Sequence, residues 1–549
     1  MDENQKFEDL VSKGIDEFFE RNPRVAVQFG KEEYEKVVES GMAEHIVENL
    51  EWFSQWIDEL KQLDIKELTF ENQLSLKAME YYHNINLFMH EAFPLYKKNP
   101  NGLAYFQEIS FLLFQRKGPV SSVAEAIIAH LIYLPKYLEE FQSRFDETPI
   151  PILWKDLALK QVQSVPKFLQ NLEKAFNETS DISESLKKRL QIAFKETETN
   201  IHSHIEWIES LPIDENDFAW ALGSEKLDKL LYLRKLPWDR DKILKKGKKL
   251  FNLLLKRLKQ IGKEISPSKT LSEAIKEFFK KDKIPTFQEV LEYTKNEAER
   301  AKMFIKSHNL ATIPKEELII VETPPHLFEI IPSAAYYEPP YFDVGQPGIY
   351  LVTHLQNEED SLGYSYTAIS NTMVHEAYPG HHLDFVCNNE FAPLTRLFGV
   401  ALETVEGWAH YCEEMMLKQG FHKDPKNAER LIIGTQLFRA MRVILDIQLH
   451  CKQRTIEDAI KMLMNILAMD ETSAKAEVLR YTSNPGYNIS YLIGKLLIDD
   501  LRREVEEKMG SDFSLKFFHD TILRSGDLPY YLLKINFEEK VRNLKKNKY

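Results

Sequence analysis

Four residues within eight positions could bind and use a metal ion: His375, Glu376, His381 and His382, in the segment VHEAYPGHHL (374–383). Neutral imidazoles are good zinc ligands, and a glutamate beside a ligand histidine is the usual general base of a zinc hydrolase. In the HExxH motif two histidines lie one helical turn apart on one face. Here His375 and His381 are six positions apart, and position 379 is proline. On an ideal helix that spacing means about 9 Å of rise and the wrong azimuth for a single ion. Pro379 cannot donate to the carbonyl of His375 and its ring clashes there, so the helix must bulge or restart. Gly380 supplies the freedom for that distortion, which could bring both imidazoles to one ion. His382, seven positions on and nearly at the same azimuth but two turns away, is the rival second ligand; His381 is preferred.

A third ligand should be an acid further along. In LETVEGWAHY (402–411), Glu406 follows His381 by 25 residues, room for one helix, a turn and a return helix. Glu403 and His410 lie three before and four after Glu406, share its face, and are candidates for orienting the ligands. Gly407 lets a backbone or a substrate approach. Arg442, Asp446 and His450 form a polar stripe at i, i+4 and i+8 of one helix. Arg442 could hold a substrate carboxylate and His450 could support a ligand; alternatively the stripe is an ion-pair ladder. Arg480 and His519 read as structural.

These blocks resemble a bacterial and archaeal family known as domain of unknown function 885, whose members carry HEAxPGHH and EGWAxY segments. The chain has HEAYPGHH at 375–382 and EGWAHY at 406–411, with further family-like blocks in RVILDIQLH (442–450) and NPGYNISYLIGK (484–495). The motif resemblance covers roughly residues 315–535; the first half matches by helical character. That family is similar to zinc metallopeptidases of the thimet oligopeptidase, oligopeptidase F and carboxypeptidase Taq kind. The resemblance implies a mainly α, two-lobed, zincin-like fold with a small sheet beside the active-site helix. It implies one zinc ion held by His375, His381 and Glu406, with Glu376 as base. Tyr491, or secondly Tyr487, is the implied donor to the oxyanion. The two extra residues between the histidines depart from those peptidases and leave His381 and His382 both open. The function implied is a zinc metallopeptidase, of oligopeptidase or carboxypeptidase type, cleaving short peptides. The alternatives are a zinc hydrolase of a non-peptide amide or ester, or a non-catalytic metal-binding helical scaffold. His/Glu ligation also fits other divalent metals.

The elements that must position these groups are mostly helices. The chain has 549 residues, 43% of them hydrophobic and only 20 of them glycine, which favours large helical cores and excludes general disorder. Three- and four-residue apolar spacing runs from residue 5 to about 310, for example Leu10 to Phe19, Phe70 to Phe93, Val120 to Phe145 and Ile152 to Phe176. Two β-branched runs, Glu317 to Thr323 and Gly348 to Leu355, read as short strands. The second could pair with an extended substrate, with His354 on it, and Tyr336 to Pro340 reads as a rim loop. From Ser370 the pattern is helical again. The expected organisation is a helical lobe over 1–310 and a catalytic lobe over 311–549.

A net charge of −14 argues against a nucleic-acid protein. The lysine-rich stretch 234–269 has leucines at helical spacing, so a solvated amphipathic face is preferred over an anion-binding surface. No signal-like segment or membrane span is evident. Three cysteines without CxxC spacing suggest a reducing, cytoplasmic setting. The expected partner is a peptide or small amide substrate, with neither nucleic acid nor membrane.

Overall fold

Apolar periodicity becomes helix over most of the chain. The helix Glu3–Arg21 buries Phe7, Val11, Ile15 and Phe19, one residue per turn. Val120–Gln142 and Glu184–Ser210 follow the same rule. Helix starts carry side-chain caps, such as Ser183 accepting from the Leu186 amide and the reciprocal Thr270–Glu273 capping box. The stretch expected as one helix from Ile152 to Phe176 forms two, Ile152–Val162 and Val165–Glu178. Pro166 sits in the first turn of the second, where a missing amide costs nothing, but its ring is incompatible with a continuous helix. The computed structural model describes residues 2–546 apart from 103–105, 107–108, 110, 114–117, 325–330, 332–333, 344, 346 and 355–363.

The chain forms two compact units that interleave along the sequence. The first comprises residues 1–73, 89–220 and 321–354. Its core includes Ile127, Leu134, Phe168, Leu190 and Ile201, with Leu351 from a strand. The small sheet has the order Leu318–Glu322, Gly348–Val352, Ala334–Tyr337, the last pair antiparallel. Both expected strands are present. The second ends at Val352, and Leu355 lies outside the described residues. Tyr336 and Tyr337, expected in a rim loop, instead belong to a strand. They face Tyr350 and Ile349 across the ladder, pairs that favour pleated structure.

The second unit comprises residues 74–88, 221–320 and 355–549, so the expected boundary at 310 is not where the units part. The reason is the lysine-rich helix Arg240–Ile265. It buries Leu254, Leu258 and Ile261 in a cluster with Ile433 and Leu437 of the long helix Pro425–His450. Lys245, Lys248, Lys249, Lys256 and Lys259 are exposed, as an amphipathic helix requires. No described helix is long and apolar enough to cross a membrane.

Candidate metal centre

The helix Tyr366–Glu376, capped by Ser365, ends at the HE pair. Beyond it the amides of Ala377 and Tyr378 both donate to the Met373 carbonyl, at 3.0 and 2.9 Å, and Gly380 donates to Val374 at 3.1 Å. The second and third of these reach back five and six residues, the signature of a widened turn. The peptide bond before Pro379 is cis, and a new helix, His381–Phe391, begins directly after Gly380. Glycine is required there: a Cβ on Gly380 would lie 1.7 Å from the His375 carbonyl oxygen. Trp408 Nε1 donates to the Pro379 carbonyl at 2.8 Å and ties the break to the helix Leu402–Lys418. The restart anticipated from Pro379 and Gly380 is therefore present.

That break brings His375, His381 and Glu406 together, with one donor atom from each within 4.8 Å of the others. His381 Nε2 lies 3.7 Å from Glu406 Oε2, and the two imidazole rings are perpendicular with centroids 5.0 Å apart. His375 and Glu406 are buried, and His381 keeps some exposure. Glu376 closes its helix next to His375, and its charge is felt by both imidazoles.

A polar network holds this group from behind. His375 Nδ1 lies 2.9 Å from Glu413 Oε1, which leaves Nε2 as the free lone pair. Glu413 also accepts from Arg439 Nη2 at 2.9 Å and from the Thr435 hydroxyl at 3.1 Å. Burial alone would raise the Glu413 carboxyl, but Arg439 and the His375 bond carry it well below its ordinary value. Burial opposes protonation of His375, but the Glu413 bond together with the charges of Glu376 and Glu413 outweighs it, so the pKa of His375 is raised. Burial and the charge of His375 push His381 lower. Glu406 is fixed by Tyr487, whose hydroxyl donates to Oε1 at 2.6 Å, and Tyr491 donates to Tyr487 at 3.3 Å. The Arg442 guanidinium lies 4.8 Å from the Tyr491 ring centroid.

His382, the rival ligand, faces elsewhere. Its Nε2 lies 2.8 Å from Glu316 Oε2, which also accepts from the Tyr378 hydroxyl at 2.6 Å, while Lys302 pairs with Oε1 at 2.7 Å. Glu403 also turns away from the triad, pairing with buried Arg234 at 2.5 Å. His410 is fully buried 3.5 Å from Glu413, and burial lowers its pKa to about 3. Its imidazole packs against the network at Glu413. Gly407 admits a backbone: a Cβ there would lie 2.4 Å from Gly494 of the helix Ser490–Met509.

The stripe Arg442, Asp446 and His450 does not form a single ion-pair ladder. Arg442 pairs with Glu477 at 2.6 Å. Asp446 accepts from the Gly486 and Asn488 amides at 2.9 and 3.1 Å. His450 bridges the Tyr481 carbonyl and the Leu222 amide at 3.0 and 3.3 Å. Arg442 and His450 both reach the helix Glu471–Thr482, and Asp446 holds the turn that follows it. Arg480 also pairs with Glu477, and His519 joins Tyr411 to the Leu310 carbonyl.

Glu413 was missed by sequence reading. It lies seven residues after Glu406, two turns along the same face, so the stripe that includes Glu403 and His410 could have been extended to it.

The profile of a family described as "Bacterial protein of unknown function (DUF885)" matches residues 23–536. No curated protein matches the chain. A candidate lipoprotein from Colwellia psychrerythraea has a similar structure, with a TM-score of 0.84 and 18% identity, over 99% of this chain and 100% of the other. A candidate lipoprotein of unknown function from Shewanella oneidensis aligns with a TM-score of 0.75 and 21% identity, over 96% and 99%. These likenesses establish a shared, mainly helical fold.

Proposed function

The chain belongs to the DUF885 family, and from that premise we propose that it is a zinc-dependent hydrolase, specifically a metallopeptidase of zincin-like architecture acting on short peptides. The observation that carries this reading is the meeting of His375, His381 and Glu406 across a broken helix. The donor set fits the ion: two imidazoles and a carboxylate are a usual zinc set with a position left open. The carboxylate behind His375 is the partner that metal-binding histidines commonly have, and His381 Nδ1 is buried without a hydrogen-bond partner among the described residues. The peptidase assignment rests on the motif resemblance.

Bound zinc would polarise a scissile carbonyl and acidify water. The chain's own groups supply the remaining steps. Glu376 takes the proton of the attacking water and returns it to the leaving nitrogen. Glu413, held by Arg439 and Thr435, keeps the His375 proton on Nδ1 and the ring in one orientation. Tyr487 fixes Glu406, and Tyr491 would turn its hydroxyl proton from the long bond to Tyr487 towards the developing oxyanion. A cytoplasmic location is part of the same reading, supported by three buried, unpaired cysteines.

The test is metal content of the purified protein together with cleavage of a peptide mixture by wild type and Glu376→Gln. One zinc per chain, with cleavage lost and metal retained in the variant, supports the reading. Protein that takes up no metal after incubation with zinc defeats it.

A further inference from the structure

The second unit carries a pocket of about 300 Å³ whose lining shares only Thr435 with the metal-centre network. It lies among the helices Arg240–Ile265, Leu271–Asp282 and Pro425–His450, with Leu467 and Met469 closing one side. Its wall is overwhelmingly hydrocarbon, from residues such as Leu258, Leu271, Phe278 and Phe438. A hollow of this kind repels water and accepts apolar guests.

Gly434 indicates that the space is kept open. It stands inside the 26-residue helix Pro425–His450, where glycine costs about 1 kcal/mol relative to alanine. Elsewhere in this unit helical glycines serve close packing: Gly407 and Gly494 bring two backbones together, and Gly247 admits Val443. Four other described glycines, Gly223, Gly345, Gly420 and Gly510, have nothing near a built Cβ, but each has a positive φ that explains it. Gly434 has neither reason. Nothing lies within 4 Å of its built Cβ, and it lines the pocket.

One turn before it, Arg430 lines the same pocket. Its Nη1 donates to Asn427 at 3.0 Å, and its Nη2 is 3.8 Å from Glu264. Its Nε is buried with no hydrogen-bond partner among the described residues. A buried N–H without a partner is costly, and a turn of the guanidinium towards an acceptor in the pocket would relieve it. We propose that this pocket binds a small amphiphile, with its hydrocarbon body beside Gly434 and an anionic head accepting from Arg430. An apolar cavity of about 150 Å³ holds one benzene, so the body should be about two ring volumes or a medium-length alkyl chain. The site goes beyond the metal reading and does not depend on it.

The test titrates octanoate and 1-octanol calorimetrically into the full-length protein. Octanoate should saturate with 1:1 stoichiometry and bind about tenfold or more tightly than octanol. Gly434→Leu fills the space, so it should abolish octanoate binding while melting at or above the wild-type temperature, because leucine is the better helix former. Arg430→Gln should reduce octanoate to the affinity of octanol. Unsaturable heats, or undiminished binding by Gly434→Leu, would overturn the site. Octanol binding as tightly as octanoate would overturn the assignment of the head group.

Discussion

Two polar regions of the second unit contrast sharply. Arg442, Asp446 and His450 sit at regular helical spacing, yet their functional groups take three separate sets of partners: a carboxylate, a turn and two backbone groups. His375, His381 and Glu406 have spacing no helix would favour, yet their donor atoms come within 4.8 Å of one another. A regular helix sends residues along a line, while a break folds them towards a point. The stripe is also saturated, because each of its groups is consumed by a structural partner. The triad instead collects lone pairs with too few protons between them, which is what a cation requires.

The largest effects should come from the triad. His375→Ala and Glu406→Ala should each lose bound zinc and hydrolysis together, whereas His382→Ala, whose imidazole serves Glu316, should keep its metal. Metal analysis of these variants and of His381→Ala decides this, and zinc loss in His382→Ala with retention in His381→Ala would reverse the assignment. Next comes the residue behind the triad. Glu413→Gln should weaken zinc binding by about 10–100-fold, the usual cost of removing a ligand's carboxylate partner, measured by competition with a chelator.

The stripe should respond in stability instead. Asp446→Ala leaves two amides without their acceptor. It should cost about 3 kcal/mol in denaturant unfolding, with metal content unchanged. Metal loss in that variant without unfolding would erase the contrast.

The smallest effect concerns Asp527, which is bonded to the helix that carries His381. Burial raises its carboxyl to about 6 from an ordinary 3.8, while bonds to Asp384 and Asn388 work the other way. The folded state therefore prefers the protonated acid. Its contribution is fully present below pH 3.8 and is lost as pH rises through about 6. Asp527→Asn should flatten that part of the stability–pH curve, measured by denaturant unfolding between pH 4 and 7.

Much of the centre was legible because its signals are local. Pro379 and Gly380 announce a break within five residues of His375, and Glu406 stands out in a short acidic and aromatic block. The helices were legible for the same reason, since burial on one face repeats every turn. The outlying partners were not. Glu316 claims His382, Arg234 claims Glu403, and Tyr487 claims Glu406, all from segments distant in the chain. The unit boundary escaped likewise, because the lysine-rich helix packs on a helix nearly two hundred residues later.

The sequence by itself determined which stretches are helical, where the crucial helix must stop and restart, and which donor types surround the break. These depend on periodicity, on proline's missing amide and on side-chain chemistry, all carried by neighbouring residues. Only the tertiary structure decided that His381 rather than His382 turns towards Glu406, that Glu413 stands behind His375, and that the polar stripe is fully occupied. A side chain's hydrogen-bond partner is set by what long-range packing places within about 3 Å of it.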